Sequence, residues 1–275
     1  MSHMLILGMG YAAGRLAGRL RARGWDVVGT TRGGGAGDIA FDDEAAVLAA
    51  LRGATHILSS VPPLDGGDPV LARYGEALAL APATWTGYLS STGVYGDTGG
   101  AWVDESAPIK GRRRDRNAAD AAWRALRGDI RVFRLPGIYG PGRSILDRLR
   151  EGRAHRIDVP GQVFSRVHVD DIAGGVIASF AGPPGVYNLA DDEPCSQNRL
   201  VEWGCALLGT PPPPLLSLDD ARLSPAARPF YAENRRIANG KARRLLGWRP
   251  RYPTFRQGLA AMAPLPAALP AGSGR

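Results

Sequence analysis

Residues 4–32, MLILGMGYAAGRLAGRLRARGWDVVGTTR, constrain the fold more than any other stretch. Met4–Leu7 is a short apolar run of the kind buried on both faces of a parallel sheet. A glycine turn follows at once. Gly8 and Gly10 supply backbone freedom and remove side chains that would keep a phosphate from the backbone amides, and Ala13 fills the third small position, where helix meets strand. From about Tyr11 to Arg23 the spacing of Ala13, Leu16, Ala17 and Leu20 predicts one buried helical face, and Gly24 ends the helix as a left-handed residue. Asp26–Thr31 is then a second β-rich run. A glycine pattern alone is common. Set between strand, helix and strand it predicts a dinucleotide-binding unit, with Gly8, Gly10, Tyr11, Ala12 and Ala13 around the pyrophosphate at the positive end of the helix dipole.

The end of the second strand bears on which dinucleotide. An acid there would accept hydrogen bonds from a ribose 2′-hydroxyl and repel a 2′-phosphate. The chain has Thr30, Thr31 and Arg32 instead, with no carboxylate before Asp38. Arg32, helped by Thr31, is therefore expected to grip a 2′-phosphate, which predicts NADP with NAD as the alternative.

Downstream, strands and helices keep alternating. Strands are expected at Asp38–Asp42, His56–Ser60, Trp85–Ser91 and Ile130–Leu135, and helices at Glu44–Leu51, Pro69–Leu80 and Asn117–Leu126. This alternation predicts an α/β Rossmann fold, a doubly wound parallel sheet of about seven strands. Ligands of such sheets bind at the strands' carboxyl ends. Asp42, the Ser60-Val61-Pro62 turn and the Ser90–Gly96 cluster all fall there, the first two expected beside cofactor. Residues 1–142 are expected to form the binding core, with 166–193 returning to the same sheet. Residues 143–165 and 194–263 would form a smaller substrate lobe, and 264–275 a loose tail.

Several segments together resemble the extended short-chain dehydrogenase/reductases, the NAD(P)-dependent epimerase and dehydratase group, in an atypical form. They are GMGYAA at 8–13, LSSTGVYG at 89–96, RLPGIYGPG at 134–142, RVHVDDIA at 166–173, GVYNLADDEP at 185–194 and LLGWRPRYP at 245–253. The resemblance implies hydride chemistry on a small polar, sugar-like substrate. It puts Ser91, four residues before Tyr95, in the place of the catalytic Ser or Thr, with Tyr95 as a second proton-donor candidate. Thr92, Tyr139 and Arg166 are expected on the substrate side, although the tyrosines read equally as packed aromatics.

One departure outweighs the matches. The family carries a Tyr and, four residues on, a Lys; the Tyr passes a proton, and the Lys lowers its pKa and holds the nicotinamide ribose. Here that stretch is GRRRDRNAADAAW, residues 111–123. Aligning its acid on Asp120 sets Arg112 and Arg116 in those two places. Arginine cannot cycle a proton near neutral pH, though Arg116 can still bind cofactor. A second reading follows: a non-catalytic NADP(H) sensor without the proton relay.

Composition excludes more than it selects. At 275 residues and 44% hydrophobic content the chain can bury a full core. Its formal charge is +8, yet the 34 basic residues include only Lys110 and Lys241 as lysines, and the arginines are scattered. Only RRRDR at 112–116 is a cluster, without interleaved aromatics, so neither nucleic acid nor a membrane is the expected partner; a small-molecule substrate is. The four histidines have no metal-ligand spacing and no metal is expected. Cys195 and Cys205 form no disulfide framework, which points to a reducing, cytoplasmic setting. Oligomeric state is not written in the sequence.

Overall fold

The computed structural model describes residues 2–221, 223 and 228–263. In chain order its elements are β1 (His3–Leu7), α1 (Tyr11–Arg21), β2 (Asp26–Thr31), β3 (Ile39–Ala40), α2 (Glu44–Gly53), β4 (His56–Ser59), α3 (Pro69–Leu80) and β5 (Trp85–Ser91). A 3-10 turn (Thr92–Tyr95) leads to β6 (Trp102–Val103), α4 (Arg114–Leu126), β7 (Ile130–Leu135), β8 (Gly137–Tyr139), α5 (Ile145–Arg150), β9 (Arg156–Ile157) and β10 (Arg166–His168). The chain continues through α6 (Val169–Ala178), β11 (Gly185–Asn188), α7 (Gln197–Leu208), β12 (Leu215–Leu216), β13 (Arg236–Ile237), α8 (Gly240–Leu246) and α9 (Phe255–Ala260).

Seven strands make one sheet in the order β11-β7-β5-β4-β1-β2-β3, every pair parallel. The order reverses between β1 and β4, and in a doubly wound sheet that switch point opens the ligand crevice. Two apolar layers explain the winding. Leu16, Ala17 and Leu20 of α1 join Ile172 and Val176 of α6 on one face, and Val47, Leu51, Tyr74, Leu78 and Trp123 cover the other. A separate core of Ile145, Leu146, Leu200, Val201, Phe255 and Leu259 builds the C-terminal lobe.

Three expectations need correction. Of 166–193 only β11 joins the main sheet; β10 pairs with β8 outside it. β3 is two residues long, since the Asp38 side chain turns away to accept the Gly29 amide at 3.2 Å. α4 begins at Arg114 rather than Asn117, with Asp115 in its first turn favouring the early start. α6 is capped by His168, whose Nδ1 accepts the Asp170 amide at 3.1 Å, while Asp170 itself pairs with Arg15 of α1 at 2.5 Å. Residues 264–275, the expected tail, lie outside the described residues. No helix among the described residues is long and apolar enough to cross a membrane.

Candidate active-site cleft

The glycine turn is shaped as a cradle. Gly8 has φ +91°, and a Cβ there would stand 2.7 Å from Val61 Cγ2, so both conformation and space demand glycine. Its amide is tied to Thr30 Oγ1 at 2.9 Å, which joins the turn to the end of β2. Gly10 differs: its φ is −88°, and a Cβ would meet nothing within 4 Å. Glycine at 10 therefore leaves open room above the first turn of α1, which no side chain caps. Ala13 is fully buried against the sheet.

Around the cradle, Tyr11 donates its hydroxyl to the Pro141 carbonyl at 3.0 Å. A Cβ on Gly140 would stand 2.6 Å from that hydroxyl, so the loop after β8 closes tightly on the turn. The Ser60 amide donates to Leu7 at 2.8 Å, setting Ser60 beside the end of β1, with Val61 against Gly8 and Pro62 exposed. Thr31 donates to Gly34, and Arg32 is exposed with no hydrogen bond or ion pair among the described residues. Asp42 is elsewhere engaged: its side chain, 77% exposed, pairs with Arg73 of α3 at 2.5 Å.

Beyond β5 the hydroxyl cluster divides. Ser91 Oγ accepts the Gly93 amide at 3.1 Å and caps the 3-10 turn, so its own O–H remains free to donate. Thr92 is buried. Ser90 points the other way and donates to Asp120 Oδ2 at 2.7 Å. Asp120 also takes two bonds from Arg134, at 2.7 and 3.0 Å, with side-chain exposures of 0% and 1% for acid and arginine. Arg134 reaches on to Tyr95, and Tyr95 donates to Asn188 at 2.8 Å.

That network corrects the role expected of Tyr95. The phenol is 2% exposed and its hydroxyl is spent inside the protein. Burial raises its pKa despite the neighbouring cation. The cation is Arg134, 4.9 Å over the ring, and not the 112–116 cluster. Tyr139 and Arg166 are likewise interior. Tyr139 packs in the lobe core, its hydroxyl without a partner among the described residues and its pKa raised by burial. Arg166 is used up on Phe164, Cys195 and Gln197.

The two positions aligned with the family's Tyr and Lys fall one before α4 and one in its first turn. Arg112 donates to Glu233 Oε1 at 2.9 Å. Arg116, one turn further along the face that carries Asp120, is half-buried beside Tyr88 and makes no ion pair among the described residues; burial and Arg113 push its pKa down. Sequence reasoning missed Glu233 and Arg235 altogether. Glu233 also pairs with Arg235 at 2.7 Å, and Arg235 donates to the Gly96 carbonyl at 2.9 Å. These residues lie on a strap that leads into β13, which pairs with β6. No local motif marks it.

No model of a known protein family matches the chain. It is 31% identical over 140 residues to a 3-diazoavenalumate denitrifying reductase of Streptomyces, a match that spans 46% of this chain and 45% of that one. The chain thus covers about half the length of that curated relative. Among solved structures, a functionally unknown conserved protein of Silicibacter pomeroyi superposes with a TM-score of 0.84 at 42% identity, covering 96% of this chain and 98% of that one. Human epimerase family protein SDR39U1, solved with NADPH, gives 0.78 at 20% identity over 95% and 99%. The UDP-glucose 4-epimerase of Thermotoga maritima gives 0.73 at 16% identity over 94% and 96%.

Proposed function

Because the chain belongs to one family with the Silicibacter pomeroyi protein and has the fold of the extended short-chain dehydrogenase/reductases, we propose that it binds NADP(H) and acts as an oxidoreductase on a small polar substrate. The observation that carries this reading is the Gly8–Gly10 cradle: one glycine is forced by close packing, and the other keeps an uncapped helix terminus open at the switch point of the sheet. A nicotinamide dinucleotide fits such a cradle and supplies or accepts a hydride when bound.

The chain's own residues do the rest. The amides at 11–13 would face the pyrophosphate and Arg32 the 2′-phosphate, the Gly10 amide being held by the Gly8 carbonyl. Arg116, with no carboxylate to neutralise it, holds the nicotinamide ribose in place of lysine. Ser91 gives its free O–H to the substrate oxygen, the atom that gains an electron pair on reduction. Arg112 and Arg116 remain charged, so the proton that completes the alcohol comes from water. Chemistry that asks little of a proton relay suits this site better than the Tyr/Lys mechanism.

The test is NADPH oxidation against aldehydes, ketones and nucleotide-sugars, repeated with Ser91→Ala. Turnover that collapses in Ser91→Ala while NADPH affinity holds supports the enzyme. The replaced Tyr/Lys pair favours one second reading, a dinucleotide-binding sensor. Absence of turnover, with NADPH-dependent binding to a captured protein partner, would favour it.

A further inference from the structure

The strap places a guanidinium where nothing in the dinucleotide reading uses it. Arg235 is 17% exposed and Glu233 12%, so both are largely desolvated. Arg235 spends Nη1 on the Glu233 carboxylate and the Gly96 carbonyl. Its Nη2 has no partner among the described residues. Gly93 keeps the space between two groups clear of a side chain: a Cβ there would crowd Ser91 Oγ at 3.3 Å and touch Arg235 Nη2 at 3.9 Å. A hydroxyl donor and a free guanidinium edge thus border one small gap.

Glu233 is the acid bound to both Arg112 and Arg235, and Asp97, whose pKa is lowered by the Asn234 and Gly99 amides and by Arg235, is the other acid nearby. A held guanidinium with two N–H directions already fixed recognises a carboxylate at little further entropic cost, and more strongly than a solvated one would.

We infer that this gap is a substrate-side anion site: Arg235, positioned by Glu233 and Gly96, binds a carboxylate on the substrate while Ser91 meets a reducible carbonyl one or two carbons away. The substrate class is therefore small oxo-carboxylates rather than neutral sugars. This rests on the NADP(H) reading, and the experiment separates the two.

The protein is saturated with NADPH, and binding of the dinucleotide is measured first by calorimetry; failure at that step overturns the cofactor reading. Phenylglyoxylate and its uncharged amide are then titrated into the NADPH complex, with quenching of bound NADPH fluorescence as the readout. The carboxylate should bind at least tenfold more tightly than the amide. Arg235→Gln should abolish that preference with NADPH affinity unchanged, and Arg235→Lys, which keeps the charge but not the fork, should retain part of it. Arg52→Gln, far away on α2, removes the same charge and should change nothing. A thermal melt of each variant shows that it is folded. Equal affinities, no measurable binding of either probe, or a preference that persists in Arg235→Gln would overturn the inference.

Discussion

The two walls of the cleft are made of different material. The wall formed by β1 and α1 is backbone: glycine, alanine and uncapped amides within six consecutive residues. The opposite wall is made of charged side chains from positions as far apart as 112 and 233, resting on a fully buried acid and arginine. A backbone wall changes little when its side chains change, provided they stay small. A wall of salt bridges fails whenever one partner is lost, because desolvated charge is left behind. The two walls should therefore break differently.

The largest effect is expected under the charged wall. Asp120→Ala strips Arg134 of both carboxylate contacts and Ser90 of its acceptor, and leaves a buried cation with only the Tyr95 hydroxyl to accept from it. Removing one member of a buried pair costs about 3–5 kcal/mol. That is a large part of the roughly 5–15 kcal/mol that holds an ordinary domain together. Urea unfolding should show the midpoint falling at constant slope. A loss under about 1 kcal/mol would mean that the ion pair merely fills space.

On the backbone wall the expected damage is to binding. Gly8→Val forces a β-branched residue into φ +91° and against Val61, so it should lower both Tm and dinucleotide affinity. Gly10→Leu has no such conflict. It should melt within about 0.5 kcal/mol of the parent while losing dinucleotide affinity about a hundredfold or more, since only the space above the helix is taken. Calorimetry on the folded Gly10→Leu protein decides: unchanged affinity would move the site elsewhere.

These contrasts also explain what was legible in the sequence. The cradle is local, and its glycines, helix face and following strand lie within one unit's length. The parallel, doubly wound class of the sheet followed from the same alternation. The charged wall is not local, for Glu233 and Arg235 look like any acid and arginine in so arginine-rich a chain until the strap brings them to Arg112 and Gly96. Burial was the other obscured quantity. Tyr95, Tyr139 and Arg166 sit in motif segments, but which side of a strand end they face is set by tertiary packing. Asp42 was misplaced for a related reason, since its partner Arg73 comes from the next helix.

A second buried acid sharpens the comparison with Asp120. Asp191 is 1% exposed, yet neither carboxylate oxygen has a hydrogen-bond partner among the described residues. Burial pushes its pKa up to about 8, against the attraction of Arg166. A raised folded-state value means that the folded protein holds a proton the unfolded chain releases. The stability this gives is complete below the unfolded value of about 4, is lost progressively as pH rises, and is gone above about 8. Asp191→Asn keeps the shape without the charge. It should leave stability near pH 4 almost unchanged and raise it at pH 9 by about 1–3 kcal/mol, the cost of an unsatisfied buried group. Urea midpoints at the two pH values check this, and equal shifts at both would show that the carboxyl is not the cause.

The smallest expected change lies at the rim of the backbone wall. Arg32 is exposed and unpaired among the described residues, so Arg32→Ala should leave the urea midpoint within about 0.5 kcal/mol. Its effect belongs to cofactor choice. Asp38, the first acid after β2, spends Oδ1 on the Gly29 amide. One charge-assisted contact is worth about 1.5–3 kcal/mol, so NADPH should bind about ten- to a hundredfold more tightly than NADH, and Arg32→Ala should erase most of that gap by weakening NADPH alone. Raising salt should narrow the gap in the parent protein and not in the variant, since the contact is exposed. Equal affinities in the parent would remove Arg32 from the site, and a gap that survives Arg32→Ala would assign the discrimination to the Thr30 and Thr31 end of β2.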